Sequence, residues 1–364
     1  MSTPAGKPVP TMPSNVLTRA GKTLRMIDLG LIDMQGQDQD RASVTKTVSV
    51  WALAFVIGAA ATLLGNGFLH VFPVGRSDEL AGTLVATLDA NLDTVALLDV
   101  GEGRAPVIVT PQTPVNGRVP DIQEEFLYWD SHDHEFWITL SSYVGRSWMD
   151  GEVVTTDGRG QITGVPYTSD QQVALAHPTS SPNSSQVAVE VDHDTGAPQL
   201  DLVDVQSRRV QRISTAVGPA SWSSDGDQLA YSCFPNAGSP ALCVYDLERH
   251  EQTVIQIPGF DDVLDPSLSP DGSEIAVAAT SGPGIINALL VVNSTTGAIL
   301  WANRQVQSVA SPVWSPDGTY ISYIGPQGVE TCRAADGSQC RLVLRGEYAD
   351  LQWVSNDLQG FGVP

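Results

Sequence analysis

The sequence Trp314-Ser315-Pro316-Asp317-Gly318, followed by TYISYI over residues 319–324, decides the fold. Proline presets φ near −65°, aspartate hydrogen-bonds to nearby backbone, and glycine accepts a positive φ, so Ser-Pro-Asp-Gly favours a tight turn. The apolar and β-branched residues after it are typical of a strand. The segment therefore predicts a turn that leads directly into a strand.

Related segments occur three more times: SPN at 181–183 before SSQVAVEV, WSSDG at 222–226 before DQLAYS, and SPDG at 269–272 before SEIAVAA. The turn positions fall at intervals of 42, 46 and 46 residues, and they are Asn183, Asp225 with Gly226, Asp271 with Gly272, and Asp317 with Gly318. Two further strand patterns follow each turn, and a short one precedes it. Four strands in each repeat of this length are typical of propeller blades.

Weaker copies of the motif flank this set. Trp129-Asp-Ser-His132-Asp133 precedes EFWITLSS, and Trp353-Val-Ser-Asn356-Asp357 precedes LQGFGV. Residues 83–110 predict strands that have no turn motif of their own. Pairing the two ends of the chain would complete one blade and remove the open sheet edges. We therefore expect an all-β domain with six blades, one of them shared between both ends.

The W-S-P-D-G motif resembles the WD40-like PD40 repeat of the TolB family, over roughly residues 83–364. This resemblance implies a six-bladed propeller. TolB itself is a soluble periplasmic protein with an α/β domain before its propeller, so the resemblance does not transfer the Tol–Pal partnership. The layout also resembles dipeptidyl peptidases, but this chain has neither their hydrolase domain nor a G-x-S-x-G motif.

Residues 48–72 (VSVWALAFVIGAAATLLGNGFLHVF) contain no Asp, Glu, Lys or Arg. A helix of this length reaches about 37 Å, enough for a hydrocarbon core of about 30 Å. The run starts too far from Met1 for a cleaved signal peptide, so it predicts one uncleaved transmembrane helix. Arg41 and Lys46 precede it and no Lys follows, which predicts a cytoplasmic tail at 1–47 and an extracytoplasmic domain at 73–364.

The tail has two interpretations. Leu17, Ala20, Leu24, Ile27, Leu31 and Met34 are spaced as one face of a helix. Such a basic amphipathic helix would suit an anionic leaflet or a partner helix, whereas Gly21 and Gly30 favour a partly ordered tail.

The chain carries 41 acidic and 19 basic residues, a formal net charge of −22. This balance argues against a nucleic-acid binder. Residues 73–364 hold 37 acidic residues and 13 arginines, so the predicted outer domain would attract cations or basic partner proteins. Simple solubility is the alternative explanation for the charge.

The four cysteines form two close pairs, Cys233 with Cys243 and Cys332 with Cys340. In an oxidising compartment these spacings predict two local disulfides that staple hairpins.

Two groups of residues are candidate metal ligands, each with a simpler explanation. His132 and His134 would share one face of a strand, although they also fall where other repeats have a turn. Asp261, Asp262 and Asp265 could bind Ca²⁺ but lack the regular ligand spacing, so a solvated loop is the favoured interpretation. His177, His193 and His250 are isolated and expected to be exposed.

No nucleophile–base set, metal motif or cofactor loop stands out, so we expect neither an enzyme nor a cofactor. The favoured function is a membrane-anchored interaction scaffold or accessory subunit whose partners are membrane or envelope proteins, for example in a respiratory or transport complex. Two alternatives remain: a transmembrane sensor, similar to an anti-sigma regulator, with a ligand-binding propeller, and an enzyme acting on sugars or lactones in the propeller funnel.

Overall fold

The computed structural model describes residues 83–88, 91–99, 107–109, 122–144, 147–157, 162–169, 173–193, 196–235, 240–281, 288–304 and 308–354. Within these ranges there is no helix with the length and apolar character needed to cross a bilayer. The predicted tail at 1–47, the predicted membrane helix at 48–72 and the turn residue Asn356 lie outside them.

The described residues form an all-β structure, as the sequence predicts, in which paired strands run antiparallel. Sheet 1 contains β1 (Thr83–Leu88), β2 (Asn91–Asp99), β3 (Val107–Val109) and the last strand, β23 (Tyr348–Val354). Sheet 2 contains β4 (Ile122–Asp130), β5 (Glu135–Val144), β6 (Ser147–Thr156) and β7 (Ile162–Thr168).

The remaining strands form three further sheets. Sheet 3 contains β8 (Val173–Ser180), β9 (Gln186–His193), β10 (Gln199–Asp204), β11 (Val210–Trp222), β12 (Gln228–Cys233), β13 (Ala241–Asp246) and β14 (Glu251–Ile255). Sheet 4 contains β15 (Asp262–Leu268), β16 (Glu274–Thr280), β17 (Ala288–Asn293) and β18 (Ile299–Asn303). Sheet 5 contains β19 (Ala310–Trp314), β20 (Tyr320–Gly325), β21 (Gly328–Arg333) and β22 (Arg341–Arg345).

Sheet 3 has seven strands because β11 belongs to two consecutive four-stranded runs. Its beginning, from Val210 to Thr215, pairs with β10, and its end, from Ala216 to Trp222, pairs with β12. In sheet 1, β1 pairs with β23, with Thr83 opposite Val354. Strands from the two ends of the predicted domain therefore share one sheet.

Six strands, here called the first strands, each begin a four-stranded run: β4, β8, the end of β11, β15, β19 and β23. Each first strand contacts the next, and β23 contacts β4, so that these contacts form a closed series. Such a series leaves no first strand without a neighbour on either side.

Apolar side chains fill the space between consecutive sheets. Leu175 of sheet 3 packs with Trp137 of sheet 2, and Leu289 of sheet 4 packs with Trp314 and Ile321 of sheet 5. All five side chains are buried. Neighbouring sheets cover both faces of the central strands. For this reason the sequence of β16, EIAVAAT, is almost continuously apolar.

Both predicted disulfides are present. Cys233 at the end of β12 is bonded to Cys243 of the neighbouring strand β13. Cys332 of β21 is bonded to Cys340, which lies directly before β22. Each bond links two consecutive segments of one sheet, as expected for a hairpin staple.

Gln352 of β23 links this first strand to β4, the first strand that comes earliest in the chain. Its Nε2 donates to the backbone oxygen of Trp129 at 2.6 Å, and its Oε1 accepts from the Trp129 backbone N–H at 2.9 Å. A single side chain therefore satisfies both backbone groups of a buried residue in β4.

We expect Gln352→Ala to lower the free energy of unfolding by about 1–3 kcal/mol, because both backbone groups of Trp129 would lose a partner. Urea denaturation of the full chain, followed by tryptophan fluorescence, measures this. Gln256→Ala, at an exposed position, is the matched control and should change stability by less than about 0.5 kcal/mol. Equal effects of the two variants would contradict a role for Gln352 in joining the strands.

Candidate functional site

The repeated turns are built around a serine hydroxyl, as the turn of Ser269 shows. Its Oγ donates to Oδ1 of Asp271 at 2.7 Å and accepts from the backbone N–H of Glu274 at 3.0 Å. Asp271 Oδ1 also accepts from the backbone N–H of Ser273 at 3.1 Å. Gly272 has φ 71° and donates its N–H to the Ser269 carbonyl, so a residue that accepts positive φ is required there.

The same bonds recur in three other turns of the repeat. Asp225 and Asp317 accept from Ser223 and Ser315, each at 2.6 Å, and Asn183 accepts from Ser181 at 2.9 Å. The sequence motif therefore corresponds to one turn geometry that is repeated in this chain. Asparagine and aspartate both accept the hydrogen bond from the turn serine. In the Asn183 turn, Ser184 replaces glycine and has φ 53°.

Consecutive turns touch and form a continuous surface, here called the turn belt: 130–134, 181–185, 223–227, 269–273 and 315–319. Ser184 Oγ donates to Asp130 Oδ2 at 2.7 Å, and Ser224 Oγ donates to the carbonyl of Pro270 at 2.6 Å. A Cβ added to Gly226 or Gly318 would lie 3.5 or 3.6 Å from a proline ring of the preceding turn.

The turn belt carries aspartates and no lysine or arginine. The side chains at Asp225, Asp271 and Asp317 are exposed. Hydrogen bonds from Ser223 and Ser269 lower the pKa of Asp225 and Asp271. At Asp317 partial burial opposes the shift, but hydrogen bonds from serine and threonine outweigh it, and the pKa is still lowered. These carboxylates therefore stay ionised at neutral and mildly acidic pH.

His132 and His134 do not share a strand face but lie in a turn, which is the simpler of the two explanations that the sequence offers. Residues 131–134 form the turn between β4 and β5, because Asp130 Oδ1 accepts the backbone N–H groups of both His132 and Asp133 and ends the strand. Both imidazoles are exposed on the turn belt. Among the described residues, no group of three His, Cys, Asp or Glu side chains is placed to hold a metal ion.

Asp261, Asp262 and Asp265 do not form the solvated loop that the sequence favours. Asp262 and Asp265 belong to β15, and only Asp261 precedes it and is exposed. Asp262 Oδ2 accepts from the hydroxyl of Thr280 at 3.3 Å. Asp265 is half-buried, and its Oδ2 accepts from the backbone N–H of Ser311 at 3.1 Å. The three carboxylates therefore do not converge on one site: Asp261 is exposed, Asp262 bonds within sheet 4 and Asp265 bonds to sheet 5.

Four first strands share a bulge that the sequence analysis missed. At each bulge the pairing register shifts and one residue with positive φ precedes a proline. A proline three or four residues before the turn serine is the signal that could have revealed it. The bulge pairs, with the φ of the first residue, are His177–Pro178 (48°), Gly218–Pro219 (76°), Asp265–Pro266 (50°) and Ser311–Pro312 (45°).

His177 is not exposed as expected. Its ring lies 4.3 Å from the ring of Phe126, and its Nε2 lies 3.9 Å from Oε2 of Glu190. Burial lowers the pKa of His177 to about 4, so its imidazole is neutral at pH 7. Glu190, which is buried, also accepts the backbone N–H of Gly218 at 2.7 Å.

Known proteins resemble this chain in part of its sequence and in its fold. No family model matches the chain. The chain is 33% identical over 91 residues to the Tol-Pal system protein TolB of Francisella tularensis subsp. tularensis, a match of 25% of this chain and 20% of that protein. It is 32% identical over 89 residues to the protein of the same name from Alcanivorax borkumensis, with 23% and 20% covered. The chain thus matches about a fifth of these relatives' length.

The crystal structure of TolB from Acinetobacter baumannii superposes with a TM-score of 0.56 at 18% identity, covering 75% of this chain and 67% of that chain. The described domain has a TolB-like β-propeller fold. A chain of the nidogen/laminin complex superposes with a TM-score of 0.53 at 8% identity, covering 74% and 97%. At these identities the TolB-like propeller likeness concerns the fold alone.

We expect Asp317→Ala to lower the free energy of unfolding by about 1–2 kcal/mol at pH 7, because the turn loses its acceptor. Asp317→Asn should stay within about 0.5 kcal/mol of wild type, because Asn183 makes the same bonds in its own turn. Urea denaturation of the full chain measures both. Since the Asp317 pKa is lowered by folding, the stability that its charge adds should be lost as pH falls below about 4. An equal loss in both variants at pH 7 would contradict the role of the turn acceptor.

Proposed function

We propose that this protein is a membrane-anchored, non-enzymatic interaction scaffold of the cell envelope, whose TolB-like propeller lies outside the cytoplasm. The observation that carries the proposal is the turn belt, a continuous acidic surface on a propeller that resembles TolB in both repeat sequence and fold. The relatives are named as proteins of the Tol-Pal system, which supports an interaction role.

The propeller would have six blades. The shared strand β11 divides sheet 3 into two runs of four strands, and the other four sheets supply one run each. The closed series of first-strand contacts and the pairing of β1 with β23 support closure of a ring by both ends of the domain. In this arrangement residues 73–364 form one propeller domain.

The anchor would be the apolar segment at 48–72, with 1–47 in the cytoplasm and 73–364 outside. The distribution of lysines and arginines around that segment supports this orientation. Two disulfides within the propeller also suit an oxidising compartment.

The partner would present a basic surface to the turn belt. Asp225, Asp271 and Asp317 of the turn belt are exposed, and the turn belt contains no lysine or arginine. A surface of one sign steers oppositely charged proteins and makes their association sensitive to salt. A membrane or envelope protein with a basic extracytoplasmic face fits this requirement.

Reporter fusions at Pro364 test the orientation. We expect alkaline phosphatase, which requires export, to be active there and β-galactosidase, which requires the cytoplasm, to be inactive. The same reporters fused after residue 47, before the apolar segment, should show the opposite pattern. Active β-galactosidase at Pro364 would overturn the proposed location.

Charge removal on the turn belt tests the interaction role. The variant Asp225→Asn, Asp271→Asn, Asp317→Asn keeps each turn acceptor and removes three charges. After cross-linking at native expression and detergent purification of the full chain, we expect about tenfold less recovery of partner proteins, since each exposed charge contributes about 0.5 kcal/mol.

The matched control removes three charges at exposed positions outside the turn belt: Glu248→Gln, Asp261→Asn and Glu347→Gln. Its partner recovery should equal that of wild type. Equal loss in both variants would show that net charge alone matters, and equal recovery in both would contradict the turn belt as the binding surface.

A further inference from the structure

Three sheets meet at Ser311, in the bulge of β19. Its backbone N–H donates to Asp265 Oδ2 of β15 at 3.1 Å, and its side chain hydrogen-bonds to the carboxylate of Asp350 in β23. Asp350 Oδ1 also accepts the backbone N–H of Leu351 at 2.8 Å. One serine therefore bridges two carboxylates that belong to the sheets on either side of it.

No cation offsets this pair within the strands that surround it. The strands β1, β4, β15, β19, β20 and β23 contain no lysine, arginine or histidine. Among the strands that contact β23, the sequence of β4 contains Glu124, Glu125, Tyr128 and Asp130, and that of β20 contains Tyr320 and Tyr323, whereas β1 and β19 have no titratable residue.

The strands packed against Asp265 do not supply a free cation either. β12 contributes Tyr231, β13 Tyr245 and Asp246, β15 itself Asp262, and β16 Glu274. β11 contributes Arg212, whose Nε lies 3.4 Å from Asp201 Oδ1 in another strand. Within these strands, hydrogen bonds from Ser311 and Leu351 stabilise the two carboxylates against each other's charge.

The backbone holds the pair in place. Asp265 has φ 50° and Ser311 has φ 45°, conformations that are unfavourable for residues other than glycine. Both residues precede a proline inside a bulge, so the surrounding sheets maintain them against this cost. Asp265 and Asp350 are half-buried, and Ser311 is buried.

We propose that Asp265, Ser311 and Asp350 form a proton-responsive junction, in which uptake of one proton by the carboxylate pair tightens the contact among β15, β19 and β23. With both carboxylates ionised, their repulsion opposes the packing of sheets 1, 4 and 5. With one of them protonated, that repulsion is removed while the bonds from Ser311 remain. The last part of the ring is therefore more firmly closed in an acidic compartment than in a neutral one.

The direction of the pKa shifts agrees with this geometry. Burial, with the nearby charge of Asp265, raises the pKa of Asp350 to about 6, and burial raises the pKa of Asp265. A carboxyl whose pKa is raised by folding binds its proton more tightly in the folded protein. Stability from this pair should consequently increase as pH falls from about 7 towards 4.

The test compares unfolding of the full chain in detergent at pH 4.5 to 8, by urea and tryptophan fluorescence, for wild type and Asp350→Asn. At pH 7.5 the variant should have an unfolding equilibrium constant at least about tenfold smaller, because a shift of one pKa unit corresponds to a factor of ten. The difference should shrink steadily as pH falls below about 6 and be smallest at the acidic end of the range, because it vanishes only when the carboxyl is protonated in the unfolded chain as well. Asp336→Asn, in an exposed turn where the pKa is lowered by a hydrogen bond from Ser338, should show no such gain.

Asp265→Asn provides a second test in case the first variant does not fold. It should give a gain with the same pH dependence, and the double variant should gain less than the sum of the two, because each substitution relieves the same repulsion. A loss of stability that is equal at every pH, in either variant, would mean that the carboxylates serve only as hydrogen-bond acceptors and would overturn the proposal. A gain that does not depend on pH would overturn it as well.

Discussion

A serine hydroxyl at the end of a first strand sets the geometry on which the propeller depends. In sheet 4, Ser269 Oγ holds Asp271 and the backbone N–H of Glu274 at the same time, so the turn and the first residue of β16 are placed together. That placement fixes the pairing register of β15 and β16. Because a slip of one residue would exchange the two faces of a strand, the same bond decides which apolar side chains meet the neighbouring sheets.

How much could be predicted from the sequence follows from how local each interaction is. The turns are specified within five residues, so the sequence predicts their positions, the strands that follow and the all-β class. The disulfides are also local. The bond between Ser311 and Asp265 spans 46 residues, and the bond between Gln352 and Trp129 spans 223. Such contacts depend on the order of the sheets around the ring, which no local pattern contains.

The incorrect site predictions have a common physical cause. Spacing in the sequence predicts shared faces only while a strand stays regular. Asp130 ends β4 by accepting two backbone N–H groups, which moves His132 and His134 into a turn. The bulge at Asp265 shifts the pairing register of β15. The Asp265 carboxylate therefore bonds to another sheet and does not lie beside Asp261 and Asp262. In both cases a hydrogen-bonding aspartate changes the regular geometry that the pattern assumes.

The aspartates of this domain fall into two populations with opposite electrostatic properties. On the turn belt, hydrogen bonds lower the pKa values of Asp225 and Asp271, so these two carboxylates stay ionised at neutral and mildly acidic pH. Between the first strands, burial raises the pKa of Asp350 to about 6, so charge there changes within that range. A basic partner that binds these aspartates would therefore meet the same two carboxylates at pH 5 and pH 7, while the packing between the first strands differs. Binding and ring stability can consequently be varied separately, because each depends on a different set of carboxylates.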